Sequence, residues 1–208
     1  MFTLALDHIA VVARTLDEGA TYVEAVLGAK PSPGGAHPRM GTHNRLLSLG
    51  PEVYLEVIAV DPDAPKPAHR RWFNLDAYDG APRVMNWICR TDDLDAALEA
   101  APAGSGRPLE QTRADLTWRM AVPEFGRLPY DDAAPALMSW GEGGMHPAKR
   151  LPDLDLRLSR LDVFHPKADE LLEAFPALHR LDRVSVREGP EKRLIATIST
   201  PLGNRILA

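Results

Sequence analysis

His8 and Glu56 are the two titratable side chains whose surroundings most suggest chemistry. His8 lies in Thr-Leu-Ala-Leu-Asp-His-Ile-Ala-Val-Val-Ala (3–13), and Glu56 in Tyr-Leu-Glu-Val-Ile-Ala-Val (54–60). Both segments are apolar and β-branched enough to be covered strands. Alternation puts Leu6, His8 and Ala10 on one face of the first, with Ile9 and Val11 on the other. In the second it puts Tyr54, Glu56 and Ile58 together, opposite Leu55 and Val57. A carboxylate in such a setting is costly unless a proton, a hydrogen-bond partner or a cation neutralises it. His8 and Glu56 are therefore candidate ligands of a divalent metal, and imidazole nitrogen with carboxylate oxygen suits Zn²⁺, Mn²⁺, Fe²⁺ or Ni²⁺. The competing reading joins the two side chains to each other or to backbone. A metal in an open site would polarise one or both oxygens of a bidentate substrate and stabilise an enolate or related oxyanion. Glu56 would serve as ligand or as the catalytic proton shuttle.

No nucleophile arrangement competes with this pair. The chain has no GxSxG, no phosphate-binding GxxxxGK[ST], no HExxH and no EF-hand loop. Its single cysteine, Cys89, falls inside an apolar strand, where a thiol is inert. No organic cofactor is implied.

The elements around these residues recur. Thr15, with Glu18 at the capping-box position, opens a helix whose apolar stripe (Ala20, Val23, Val26, Leu27) ends at Gly28. A short strand near 30 or 39 and strands at 43–49 and 53–60 complete a βαβββ unit over residues 1–62. A second unit over 83–142 has a strand at 84–90, Thr91 as cap, a helix at 93–101 and strands near 109–113, 116–122 and 135–140. A third, over 153–208, has a strand at 155–164, a helix at 167–175 and strands near 183–188, 192–199 and 204–207. The fold class is α+β, with units that bury their helices by pairing sheets. The third unit lacks an inward histidine–carboxylate pair and is expected to be structural, its strands extending the existing sheets.

Composition bounds the rest. Forty-five per cent hydrophobic and 25% charged residues describe a globular chain. A net charge of −5 without a basic stripe argues against nucleic acid as partner. No basic leader and no apolar run of about 20 residues is present, so neither secretion nor a membrane is expected. A lone cysteine fits a reducing cytoplasm.

Leu6-Asp7-His8-Ile9-Ala10-Val11, Gly41-Thr42-His43-Asn44-Arg45-Leu46-Leu47-Ser48-Leu49-Gly50, Tyr54-Leu55-Glu56-Val57-Ile58-Ala59, and Ser139-Trp140-Gly141-Glu142 with His146-Pro147-Ala148 together resemble the glyoxalase-like domain of the vicinal oxygen chelate superfamily. The likeness covers about residues 5–190 and is densest in the first 62. It implies paired βαβββ modules curled into one mixed-sheet cup with helices outside, often with a divalent metal at its base. The 48-residue spacing of His8 and Glu56 matches what the resemblance implies for metal ligands.

The second module offers less. The repeat sets Asn86 opposite His8, and Ala136-Leu137-Met138-Ser139-Trp140 carries no carboxylate. His146, in the Gly-rich loop 143–147, is the candidate third ligand, with Glu142 as competitor; exposure is the plainer alternative. His37, His69, His165 and His179 read as surface residues, and His43 either lines the cup mouth or is a rim residue without chemistry. Tyr54, Trp87, Trp118, Met138 and Trp140 suggest an apolar small-molecule pocket. Asn44 and Asn86 would add polar contacts, and Arg119 would clamp a carboxylate, unless it is a surface arginine paired with an acid. The preferred function is a metal-dependent enzyme acting on a small molecule with adjacent oxygens, as isomerase, lyase or dioxygenase. The alternative is a metal-free small-molecule-binding or drug-sequestering protein on the same fold. The assembly is expected to be a monomer or a homodimer.

Overall fold

The computed structural model describes residues 1–142 and 144–208, so that Gly143 of the expected glycine loop lies outside the described residues. The first module comprises β1 (Leu4–Val12), α1 (Leu16–Leu27), β2 (Ser32–His37), β3 (Thr42–Ser48) and β4 (Tyr54–Val60). Helix α1 begins where Thr15 accepts a hydrogen bond from the Glu18 N–H, and ends at Gly28, whose φ of 70° only glycine adopts without strain. The second module comprises β5 (Arg83–Thr91), α2 (Leu94–Ala100), β6 (Arg107–Arg113), β7 (Leu116–Val122), a helical turn α3 (Pro129–Asp132) and β8 (Ala136–Trp140). Here the cap is Asp93 rather than the expected Thr91, because β5 runs on through Thr91; Asp93 accepts from the Ala96 N–H at 3.0 Å.

The two modules form one eight-stranded sheet in the order β2-β3-β4-β1-β5-β8-β7-β6. In each module the first strand pairs in parallel with the last, and β1 meets β5 antiparallel at the centre. The sheet is thus a mixed-sheet cup with a pseudo-twofold between its halves. Its outer strands approach each other: the Arg39 guanidinium donates to the Glu110 carbonyl at 3.3 Å, and the Arg113 stem lies against Gly35. The helix-side face buries Ile9, Val11, Leu55, Val57 and Trp87 with Val23 and Leu27 of α1. The inner face buries Ala10, Val12, Ile58, Ile88, Met120 and Met138. A 3₁₀ segment, Trp72–Ala77, drops Trp72, Phe73 and Leu75 onto that inner face and covers the cup.

A break in β1 decides what enters the cup. The β1–β5 register shifts between Leu6 and His8, which makes Asp7 an extra residue in the strand. Leu6 therefore joins Ile9 and Val11 on the helix side, contrary to the strict alternation expected, while Asp7 and His8 both point inward.

After a helical turn α4 (Pro147–Arg150) the chain forms β9 (Arg157–His165), α5 (Ala168–Ala174), a 3₁₀ turn at Pro176–Arg180, β10 (Val184–Glu188), β11 (Arg193–Thr200) and β12 (Gly203–Leu207). These strands do not extend the existing sheet. They make a separate four-stranded sheet, β10-β9-β11-β12, in which β9 is paired on both sides within its own unit. Leu161, Val163, Leu194 and Ile198 of this sheet share the helix-side core of the cup. No helix among the described residues is long and apolar enough to cross a membrane.

Candidate functional site

The site begins with Asp7, a carboxylate with no exposed surface. It accepts hydrogen bonds from His8 Nδ1 at 2.7 Å, Trp140 Nε1 at 2.9 Å and His146 Nε2 at 3.0 Å, and the Arg90 guanidinium lies 3.7 Å away. Burial alone would raise its pKa. The hydrogen bonds from His146 and His8 outweigh burial and hold the carboxyl well below the usual range.

His8 is oriented by this bond. With Nδ1 turned to Asp7, its Nε2 faces Glu56 Oε2 at 3.6 Å, and the Tyr54 ring stacks on the imidazole at 4.4 Å. Burial opposes a charged imidazole, but the hydrogen bonds and charges of Asp7 and Glu56 raise the His8 pKa to about 9. Burial likewise works against an ionised Glu56, and His8 with Asn44 nonetheless lowers it to about 2.

Asn44 is aimed by glycine. Its Oδ1 accepts from the Gly35 N–H at 2.9 Å, and a Cβ at position 34 would overlap that oxygen. The Nδ2 is thereby directed at Glu56 Oε1, to which it donates at 2.5 Å. His37 completes this side: Nδ1 bonds to Thr42 Oγ1 at 3.0 Å, and Nε2 lies 3.9 Å from Glu56 Oε1. Burial lowers the His37 pKa to about 4, which leaves a neutral ring with a lone pair on Nε2. His8, His37, Tyr54, Glu56 and Trp140 line one cavity together with Trp72 and Phe73. It encloses about 20 Å³, room for one water or an ion.

Several residues are placed otherwise than the sequence suggests. His37 and His165 are buried rather than on the surface. His146 uses both ring nitrogens, one on Asp7 and one accepting from the Ala148 N–H, so it has no lone pair free for an ion in this structure. Arg119 lies outside the cup, 41% exposed and paired with Asp95 of α2, because Trp118 and Met120 take the inward positions of β7. Asn86 does face inward, opposite Ala10, fully buried and with neither side-chain polar atom bonded. His43 sits near the rim, 4.0 Å from Asp61. Asp7 was not legible as a site residue, since alternation would have turned it away. A charged residue inside an apolar strand next to His8 was the available signal.

The residues fit a divalent ion as an anchored pair. The Asp7–His8 bond fixes the imidazole with Nε2 outward, the arrangement that carboxylates give to metal-binding histidines. The separation of Nε2 from the Glu56 carboxylate is within the about 4.4 Å that two ligands of one ion can span. Among the described residues no group of three or more His, Cys, Asp or Glu side chains forms a finished site.

With this geometry in view, residues 6–179 match the glyoxalase-like domain. The chain belongs to the glyoxalase-like domain family. Curated proteins give no significant match to this glyoxalase-like chain. Among solved structures it is similar to a hypothetical protein from Staphylococcus aureus, 17% identical over 91% of this chain and 88% of that one, with a TM-score of 0.62. It is also similar to the Mn(II)-bound glyoxalase from Novosphingobium aromaticivorans, 10% identical over 95% of this chain and 79% of that one, TM-score 0.47. A third is methylmalonyl-CoA epimerase from Mycobacterium tuberculosis, 16% identical over 67% of this chain and 88% of that one, TM-score 0.44. The S. aureus structure supports the fold of this glyoxalase-like protein across both sheets.

Proposed function

We propose that this glyoxalase-like protein is a divalent-metal-dependent enzyme acting on a small molecule with adjacent oxygens, as an isomerase, lyase or dioxygenase. The observation that carries the reading is the Asp7–His8–Glu56 line, in which a buried carboxylate presents His8 Nε2 to a second buried carboxylate. His8 and Glu56 would hold the ion; His37 is no freer to join them than His146, since its Nε2 already accepts from Asn44 Nδ2 at 3.3 Å and Arg113 Nη1 at 3.4 Å. Zn²⁺, Mn²⁺, Fe²⁺ or Ni²⁺ suits these donors, and a bound ion would supply Lewis-acid polarisation of substrate oxygens.

The chain's own groups do the rest. Where Glu56 serves as proton shuttle rather than as permanent ligand, it would receive or return a proton at its Oε2, while Asn44 holds Oε1 in place. Tyr54 and Trp140 wall the ligand, while Asn86, fully buried behind the lining residues, keeps both polar atoms unpaired. Trp72 and Phe73 line the same cavity, and a ligand larger than it would require their segment to move.

Metal analysis of protein purified without chelator tests this reading. The expected result is about one ion per chain, lost in His8→Ala and Glu56→Gln, and a thermal stabilisation by added cation that both variants lack. Absence of any saturable divalent cation binding would overturn it. The metal-free ligand-binding alternative draws on a different observation: Glu56 is already bonded by Asn44 and beside a charged His8, and β8 places Ala136 and Met138, not a carboxylate, on the cup face.

A further inference from the structure

The polar groups of the cup are not evenly matched. Its first-module half holds the acceptors, Asp7 and Glu56, and each has its donors in place. Its second-module half, with the cover, holds donors that lack acceptors. Trp72 lines the cavity and its buried Nε1–H has no partner. Gln111, on the inward face of β6 opposite Trp118, has a buried Nε2 that is also unpartnered. Two residues further on the same face, Arg113 lines the cavity with its guanidinium 5.9 Å over the Trp118 ring. Among the described residues Arg113 pairs with no carboxylate; its side-chain contact is Nη1 at 3.4 Å from His37 Nε2. His37 ties the group together, since it also packs edge-on against Trp72 at 5.2 Å. Buried donors without acceptors are costly, and a guanidinium without a counter-charge beside them selects an anion with two oxygens in one plane.

We infer that Arg113 and Trp72, with Gln111 behind them, form a subsite for the carboxylate of the substrate, so that the molecule handled at His8 and Glu56 is a small carboxylic acid carrying a second oxygen on the adjacent carbon. This rests on the function proposed above for its reaction, but not for its anion binding. The cavity as it stands has room for about one water, so a carboxylate there requires the Trp72–Ala77 segment to move outward. His8 and Glu56 then face the carbon beside the carboxylate from the opposite wall.

Pyruvate and its neutral analogue pyruvamide are the probes, and indole N–H resonances of the holoprotein are the readout, with Trp72 assigned through Trp72→Phe. Pyruvate is expected to shift the Trp72 resonance saturably and to bind at least tenfold more tightly than pyruvamide. Arg113→Met keeps the apolar stem over Trp118 and should remove that preference while the resonances of Trp87 and Trp140 stay put. Arg113→Lys should restore part of it. Equal binding of the two probes to wild type, no binding of either, or a preference that survives in Arg113→Met would overturn the subsite. The same titration on His8→Ala separates the two proposals. A preference retained there in protein that binds no metal leaves the carboxylate subsite standing alone. A preference lost there while Arg113→Met retains it removes the subsite and keeps the metal centre.

Discussion

Asp7 and His8 are neighbours in one strand, yet their side chains meet inside the cup, with Oδ1 and Nδ1 2.7 Å apart. In a regular strand they would point to opposite faces. The register shift opposite β5 turns both inward and gives a buried imidazole a fixed ring orientation. Asp7→Asn keeps the shape and weakens this support, so divalent cation affinity should fall about 10- to 100-fold with His8 and Glu56 intact, as read by calorimetric titration. An unchanged affinity would assign Asp7 a structural role alone.

The pH dependence of the metal-free protein follows from three buried groups around this bond, with Asp7 ionised throughout. His8, raised to about 9, adds stability that is complete below about pH 6.5 and is lost as pH rises through 9. His37, lowered to about 4, acts oppositely: its contribution is complete above about pH 6.5 and is lost as pH falls toward 4. Glu56, lowered to about 2, adds stability present above about pH 4.5 and lost as pH falls through 2. Thermal unfolding should therefore peak near pH 6.5, and His8→Gln should flatten the alkaline limb. Because an ion must displace the His8 proton, metal affinity should rise by up to about tenfold per pH unit below 9.

Gly34→Ala should act at a distance of two side chains. Its methyl overlaps Asn44 Oδ1 and also meets the Asn44 backbone carbonyl oxygen at 2.6 Å, so Asn44 must release Glu56 and the β2–β3 backbone must shift as well. Urea unfolding should show a loss of about 1–3 kcal/mol for Asn44→Ala and a larger one for Gly34→Ala, and adding Gly34→Ala to Asn44→Ala should still destabilise, because the backbone clash remains.

Gly19→Ala supplies a contrast in packing. The added methyl strikes the Val57 side chain where α1 crosses β4, outside the cup. A cost of about 1–3 kcal/mol is expected with cation affinity unchanged. A matched loss of affinity would mean that the helix-side core sets the spacing of His8 and Glu56.

The strands and the two helix caps of the first module were legible because alternation and Thr15–Gly28 act locally. The strand that became β2 fell between the expected positions, since its Pro-Gly-Gly composition has no apolar period and it is held by pairing with β3. That pairing is also what buries His37, a residue whose sequence neighbourhood reads as loop. Asp7 is hidden by a register shift that depends on Ile88 and Cys89 of β5, far away in the chain. The third βαβββ string was read correctly as elements, but a string of elements does not fix which strands pair. Tyr54 and Glu56 are legible as inward residues because β4 keeps strict alternation, whereas of the two readings of Arg119, a carboxylate clamp or a surface arginine paired with an acid, the structure shows the second.

The C-terminal sheet carries a further expectation. Leu161, Val163, Leu194 and Ile198 belong to the same core as Leu55 and Val57, so a chain ending at residue 152 would expose the helix-side face of the cup. Such a truncation should aggregate on expression, assessed by sedimentation, and cation should not rescue it.

The near meeting of β2 and β6 bears on how the protein behaves in a crowd. Open sheets invite strand addition at their margins, but here one margin of the eight-stranded sheet is shielded by the other, and Pro33 and Pro108 remove donors from each. Among the described residues the other edge strands are β10 and β12, in the four-stranded sheet apart from the cup. Any template-directed aggregation of the folded protein is thereby steered to a surface where it leaves the cup untouched.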